Sequence, residues 1–328
     1  MFCGPFFQDR EHNNMSVPVA YLTVVLIWST TPLAVKWSGE GPGFLFGALG
    51  RMMLGVLVGL AVLLALRQRL PWHREARRTY LAAALGVYGA LLCVYWGAQQ
   101  VPSGIVAILF GLTPILTSLM ARVLLGERSF TPVKVAGTLL GLVGLVAIFG
   151  GGLDLGPRAF AGIEVLLLGV SLHSLSTVLV KRSNTSLPGI TVTAGTLLVS
   201  TPLFLLTWLA FDGARPVALP VYSVMSIIYL GVIGSVVGFS LYFYVLRHVT
   251  AAAAALVTLI SPVLALMLGT VVNHERLGAP VWVGAALVLG GLALHQGGNA
   301  FDRFLARVPW ARTDSLPPPK ERHRETPP

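Results

Sequence analysis

Charge is what this sequence has least of. Only 11% of its 328 residues are Asp, Glu, Lys or Arg and 55% are hydrophobic, with a mean hydropathy of +0.78. A soluble domain carries about 25% charged residues, so an ordinary soluble fold is excluded. Cysteine is almost absent. Cys3 and Cys93 make neither a disulfide framework nor a metal-ligand spacing, so no metal and no cofactor is expected. Carboxylates are few as well, 13 in all, and apart from Glu164 none falls inside a long apolar run. A carboxylate proton relay or a sodium site therefore lacks its residues, which favours facilitated diffusion or exchange over strong proton coupling. His173 is the mid-span group that titrates near neutrality. There is no phosphate-binding GxxxxGK[ST] loop, no HExxH and no nucleophile–base arrangement, which excludes direct ATP drive and argues against an enzyme. The first fifteen residues carry Asp9, Arg10 and Glu11 without an apolar stretch. They do not form a signal peptide, and 1–15 reads as an extension ahead of a natural start at Met15.

What is present is a series of apolar runs of the length a bilayer requires, about 20 residues each. Ten candidate spans follow: 17–36, 43–66, 79–98, 101–124, 132–150, 160–181, 188–211, 219–246, 249–272 and 279–297. The expected fold is an all-α membrane protein of ten transmembrane helices. An even number puts both termini on one side. If that side is the cytoplasm, its segments hold 17 Lys and Arg against 4 outside (Lys36, Arg158, Arg215, Arg276), with Arg51 and Arg122 inside spans. That bias satisfies the positive-inside rule and accounts for the net charge of +10. The basic run Arg74–Arg78 then reads as topology plus contact with anionic membrane lipid, not nucleic-acid binding. The tail 298–328, basic and bearing Pro317-Pro318-Pro319, is expected to be disordered.

The two halves repeat. Residues 101–135 slide onto 249–283, matching Pro114 with Pro262 and Glu127-Arg128 with Glu275-Arg276; Trp96 falls on Tyr244 and Trp28 on His173. Each half, 16–150 and 160–297, has five spans. Five is odd, so the second copy enters the membrane from the opposite side, an inverted-topology repeat of the kind secondary transporters use.

Several stretches carry a resemblance. They are Trp28-Ser29-Thr30-Thr31-Pro32, Arg51, and the span from Pro114 to Gly126-Glu127, which recurs as Pro262 to Glu275 with His274 in place of the glycine. Tyr229-Leu230-Gly231-Val232-Ile233-Gly234 running to Tyr244 is another. In their order across 17–297 these segments resemble the drug/metabolite transporter superfamily, in its ten-helix members with two EamA domains. The resemblance implies an inner-membrane carrier of amino acids, metabolites, sugars or drugs. The leading expectation is export of an amino acid or related small organic metabolite by alternating access. A broad-specificity drug, metabolite or sugar carrier comes second. A non-transporting scaffold or sensor, or an intramembrane enzyme, would belong to other classes.

The candidate site residues each have two readings. Pro114 and Pro262 interrupt matched spans, which marks a midplane site or a structural kink. The small-residue faces around them pack helices closely or line a cavity, where Thr113, Thr258 and Ser261 would offer hydrogen bonds. Arg51, about 12 Å into its span at ~1.5 Å per residue, holds a substrate carboxylate or fixes the fold. Trp28, with Thr31 of the same motif, and His173 occupy equivalent depths and would stand on a cavity wall, with Trp96, Tyr95 and Tyr244 as further aromatics or interfacial anchors. Gln99 would rim an outward opening. Glycines in the fifth and tenth spans favour close packing and leave a homodimer open.

Overall fold

A computed structural model describes residues 16–101, 106, 109–127, 131–149, 158–213, 216, 219–261, 263–264 and 279–305. Every regular element among them is a helix. Ser16 caps α1 (Val17–Gly39) by accepting from the Val19 N–H, and α1 bends by 40° between Val17–Thr31 and Leu33–Gly39. Pro32 lies at that bend, where its ring removes a helical N–H. The turn into α2 (Phe44–Ala65) uses Gly41 and Gly43 at φ 95° and 85°, a region that side chains rarely adopt.

The third helix, α3, runs Arg74–Gly97. It begins five residues before the apolar run, because Arg74–Arg78 forms a basic first turn at its end. Its centre, Leu85–Ala90, is π-helical. After α3, Val106, Leu109 and Phe110 are helical, a turn follows at Gly111-Leu112, and α4 spans Thr113–Leu125. Gly126 ends it in the left-handed region at φ 68°, the usual helix C-terminal device. Then come α5 (Pro132–Phe149), α6 (Ala159–Ser183) and α7 (Gly189–Phe211). Next, α8 (Val221–His248) has its own π-helical centre at Leu230–Val237. Finally α9 (Ala251–Ser261) and α10 (Ala279–Leu305) complete the described chain.

Five of these helices, α2, α3, α6, α7 and α8, are long and apolar enough to cross a membrane, and α1 makes six if its bent pair is one span. The apolar portions of α4, α5, α9 and α10 are shorter, 10–17 residues. Outward-facing Leu57, Leu64, Phe160, Phe211 and Val221 are strongly exposed, the pattern expected where lipid and not water covers the surface.

Packing pairs elements from the two halves. α1 packs on α8 and α6 on α3; α2 packs on α8 and α7 on α3; α2 meets α7, α4 meets α9 and α5 meets α10. Under exchange of the halves, each of these pairings maps to another or to itself; the α4–α6 packing is an exception, with no comparable α1–α9 packing among the described residues. The α5–α10 contact depends on glycine: a Cβ on Gly137 would lie 2.6 Å from the Gly291 carbonyl oxygen. By contrast Gly290 faces open space. Pro262, Glu275-Arg276, Arg128, the N-terminal extension and the tail beyond 305 lie outside the described residues.

Candidate functional site

The two central helices that carry π turns are the frame of the site. A π turn widens the helix and leaves carbonyls without their usual donors, and such turns concentrate at functional sites. In α3 the opening is sealed from α6, where the Ser176 hydroxyl donates to the Ala82 carbonyl at 2.8 Å. In α8 the side chain that meets the π segment comes from α2, and it is Arg51.

Arg51 is 2% exposed. Its Nε donates to the Ser235 hydroxyl at 2.9 Å, and its Cζ stands 5.6 Å from the centre of the Phe239 ring. Its Nη1 is buried with no hydrogen-bond partner. No carboxylate pairs with it among the described residues. A guanidinium with donors unused and no counter-charge is costly to bury, and it is built to take a carboxylate in bidentate fashion.

Ser235, Phe239 and Tyr242 follow at spacings of four and three, so they share one face of α8. That face leads from Arg51 to an aromatic cluster. Trp28 and His173 meet edge to face with centroids 6.0 Å apart. Tyr242 lies 5.0 Å from Trp28 and 6.1 Å from His173, and Phe110 lies 6.3 Å from His173. The cluster thus draws on α1, the segment before α4, α6 and α8. The hydroxyls of Tyr242 and Thr177 are hydrogen-bonded at 2.7 Å, while His173 Nε2 is buried without a partner. Tyr242 and Phe239 were missed in sequence; their spacing from Ser235 along an apolar helix was the available signal.

The proline break takes a definite form. Pro114 sits in the first turn of α4, so the helix ends before it and restarts, and the kink reading becomes a break. Because Pro114 has no N–H, the Phe110 carbonyl four residues earlier has no helical donor. Thr258 of α9 approaches that carbonyl at 3.2 Å and also its own Ala255 carbonyl at 2.8 Å. Ser261 donates to the Val257 carbonyl. Both hydroxyl protons are therefore committed to backbone. On α4, in contrast, the hydroxyls of Thr113, Thr117 and Ser118 are buried and unpartnered, which presents an unsatisfied polar face beside Pro114.

The remaining candidates stand apart. Thr31 donates to the Ile27 carbonyl one turn back. Tyr244 meets His248 in a tilted ring contact, centroids 4.4 Å apart, near the end of α8. Trp96 is half-buried near the end of α3 and makes no ring contact among the described residues. Gln99 is exposed, its amide reaching the Tyr95 carbonyl at 3.4 Å. Among the described residues no three His, Cys, Asp or Glu side chains gather to hold a metal.

Against known proteins, the model of the EamA-like transporter family matches twice, over residues 15–150 and 160–295. The chain belongs to the EamA-like transporter family. An uncharacterized transporter of Bacillus subtilis, YoaV, is 26% identical over 287 residues, covering 86% of this chain and 97% of its own length. The aromatic amino acid exporter YddG of Ancylobacter novellus is 27% identical over 276 residues, 83% of this chain and 94% of that protein. A solved crystal structure aligns with a TM-score of 0.71 at 26% identity, over 88% of this chain and 98% of the other. The two family matches correspond to the two halves paired through α2–α7, α4–α9 and α5–α10.

Proposed function

We infer that this EamA-family protein is a secondary carrier of the inner membrane that exports amino acids or closely related small organic acids. The observation that carries the substrate class is Arg51: a buried guanidinium with Nη1 unpartnered and no counter-ion among the described residues, set against the α8 face that leads to the aromatic cluster. A carboxylate would take the free guanidinium donors, and an apolar or aromatic side chain would lie against Phe239, Tyr242 and Trp28. The exporter YddG among the relatives, named for aromatic amino acids, supports the same class. The unpartnered His173 Nε2 is placed to meet a polar substituent of the solute.

Ten spans in two inverted five-helix repeats, 16–150 and 160–297, with both termini cytoplasmic, complete the reading. The Lys and Arg distribution supports the orientation, and the exchange-symmetric helix pairings support the repeat. Alternating access would rock the halves around the break at Pro114, the α4–α9 contact and the two π turns, exposing the Arg51–His173 region to one side at a time.

Counterflow in liposomes holding the purified protein tests this. A labelled amino-acid panel should show saturable exchange that Trp28→Ala or His173→Ala abolishes in folded protein. Exchange of uncharged sugars in place of amino acids would favour a broad carrier, and an absence of flux with any solute would count against transport.

A further inference from the structure

Between the start of α3 and the end of α6 the surface opens into a groove of about 600 Å³. Two cations stand at it, Arg78 from α3 and Arg182 from α6, with Glu75 beside them. Both arginines are exposed, and neither has an ion-pair or hydrogen-bond partner among the described residues. The neighbouring Lys181 is occupied: its Nζ donates to the Leu246 and Arg247 carbonyls at 2.9 and 3.2 Å. Leu81, 61% exposed, together with Leu85 and Leu179 gives the groove an apolar wall. On α3 the order Arg78, Leu81, Leu85 keeps one helix face, and Leu179 and Arg182 do the same on α6. Each helix thus sets a cation above an apolar contact.

We propose that this groove holds one anionic phospholipid, its phosphate between Arg78 and Arg182 and an acyl chain along Leu81, Leu85 and Leu179. The pattern asks for both parts of such a molecule. A free phosphate has no use for the leucine wall, and a zwitterionic lipid gives no net charge to two guanidiniums, which Glu75 only half offsets. Basic recesses between membrane helices recognise anionic headgroups on this basis. Topology alone would place arginines near the helix ends but would not leave two of them unpartnered around one apolar recess.

The equivalent seam in the other half is built differently. In the repeat register Glu75, Arg78 and Arg182 correspond to Ser223, Ser226 and Trp37. There the Ser223 hydroxyl is bonded to the Glu40 carbonyl at 2.6 Å, and these positions carry no cation. The lipid site is therefore one-sided. It also bridges the halves, since α3 lies in the first matched region and α6 in the second. A lipid bound there ties the seam where the Ser176 contact to Ala82 closes it, next to the π turn that begins at Leu85.

The test uses the full-length protein, delipidated in detergent and titrated with phosphatidylglycerol, phosphatidylcholine or inorganic phosphate. Native mass spectrometry counts retained lipid, and a thermal melt reads stabilisation. Phosphatidylglycerol should be retained on the order of tenfold more strongly than phosphatidylcholine and should raise the melting temperature. The double variant Arg78→Gln/Arg182→Gln should lose that preference, Arg78→Lys/Arg182→Lys should keep most of it, and Arg67→Gln/Arg69→Gln should leave it unchanged. Equal retention of the two lipids by the wild type would overturn the proposal. So would a preference that survives in the double Gln variant, or stabilisation reproduced by inorganic phosphate alone.

Discussion

Replacing Arg51 by Gln separates a substrate-binding arginine from a purely structural one. Among the described residues the side chain makes one hydrogen bond, Nε to Ser235, and lies over Phe239. Losing these weakens the fold by about 1.5–3 kcal/mol for the charge-assisted bond, with a smaller part for the ring contact. That loss is independent of which solute is present. The unpartnered Nη1 contributes only if an anion occupies the site. A desolvated guanidinium–carboxylate pair should then account for about 3 kcal/mol or more of affinity, which is roughly a hundredfold in half-saturation at 1.4 kcal/mol per decade. The assay is counterflow of a labelled amino acid, competed by the unlabelled acid and by its carboxamide, on wild type and Arg51→Gln. The wild type should prefer the acid strongly. The variant should lose that discrimination while the carboxamide's half-saturation moves by less than about threefold, given the same affinity scale. Arg51→Lys should recover part of the preference, because it restores charge without the planar fork. If acid and carboxamide compete equally with the wild type, or if Arg51→Gln weakens both by the same factor, the guanidinium does not bind the solute.

Other expectations follow from contacts that the fold itself makes. Thr258→Val should leave the Phe110 carbonyl without a donor and destabilise the protein by about 1–3 kcal/mol; denaturation in detergent should show the loss, with Thr258→Ser restoring most of it. Gly137→Ala would drive a Cβ into the Gly291 carbonyl and should cost about 1–3 kcal/mol or more by overpacking. Gly290→Ala, with nothing within 4 Å, should be tolerated, and thermal melts of the pair measure the difference. For orientation, single cysteines in a background lacking Cys3 and Cys93 should react with an impermeant maleimide in intact cells at Glu40 and Asp212. Those at Gln68 and Arg182 should react only after permeabilisation; the reverse pattern would invert the topology.

The membrane class was legible in the sequence because apolar run length and scarcity of charge depend on composition alone. The twofold repeat was legible too, since Pro114 pairs with Pro262 at an offset of 148 residues and Trp28 with His173 at 145, a shift of three over most of a half. Trp28 and His173, paired in sequence only as equivalents in depth, meet in the fold with ring centroids 6.0 Å apart. What sequence could not decide was which polar groups end up satisfied. Thr258 and Thr113 read alike as cavity hydroxyls, yet the missing N–H of Pro114 gives Thr258 a carbonyl across the α4–α9 contact, while Thr113 is left unpartnered. Tyr244 matched Trp96 in register, but Tyr242, two residues earlier, faces the cluster, because two residues turn a helix by about 200° and put the pair on opposite faces of α8. Arg51 was ambiguous for the same reason: only tertiary packing shows a guanidinium with Ser235 on one nitrogen and no partner on another. Composition and repeat belong to the chain itself, whereas hydrogen-bond satisfaction is a property of neighbours that meet only on folding.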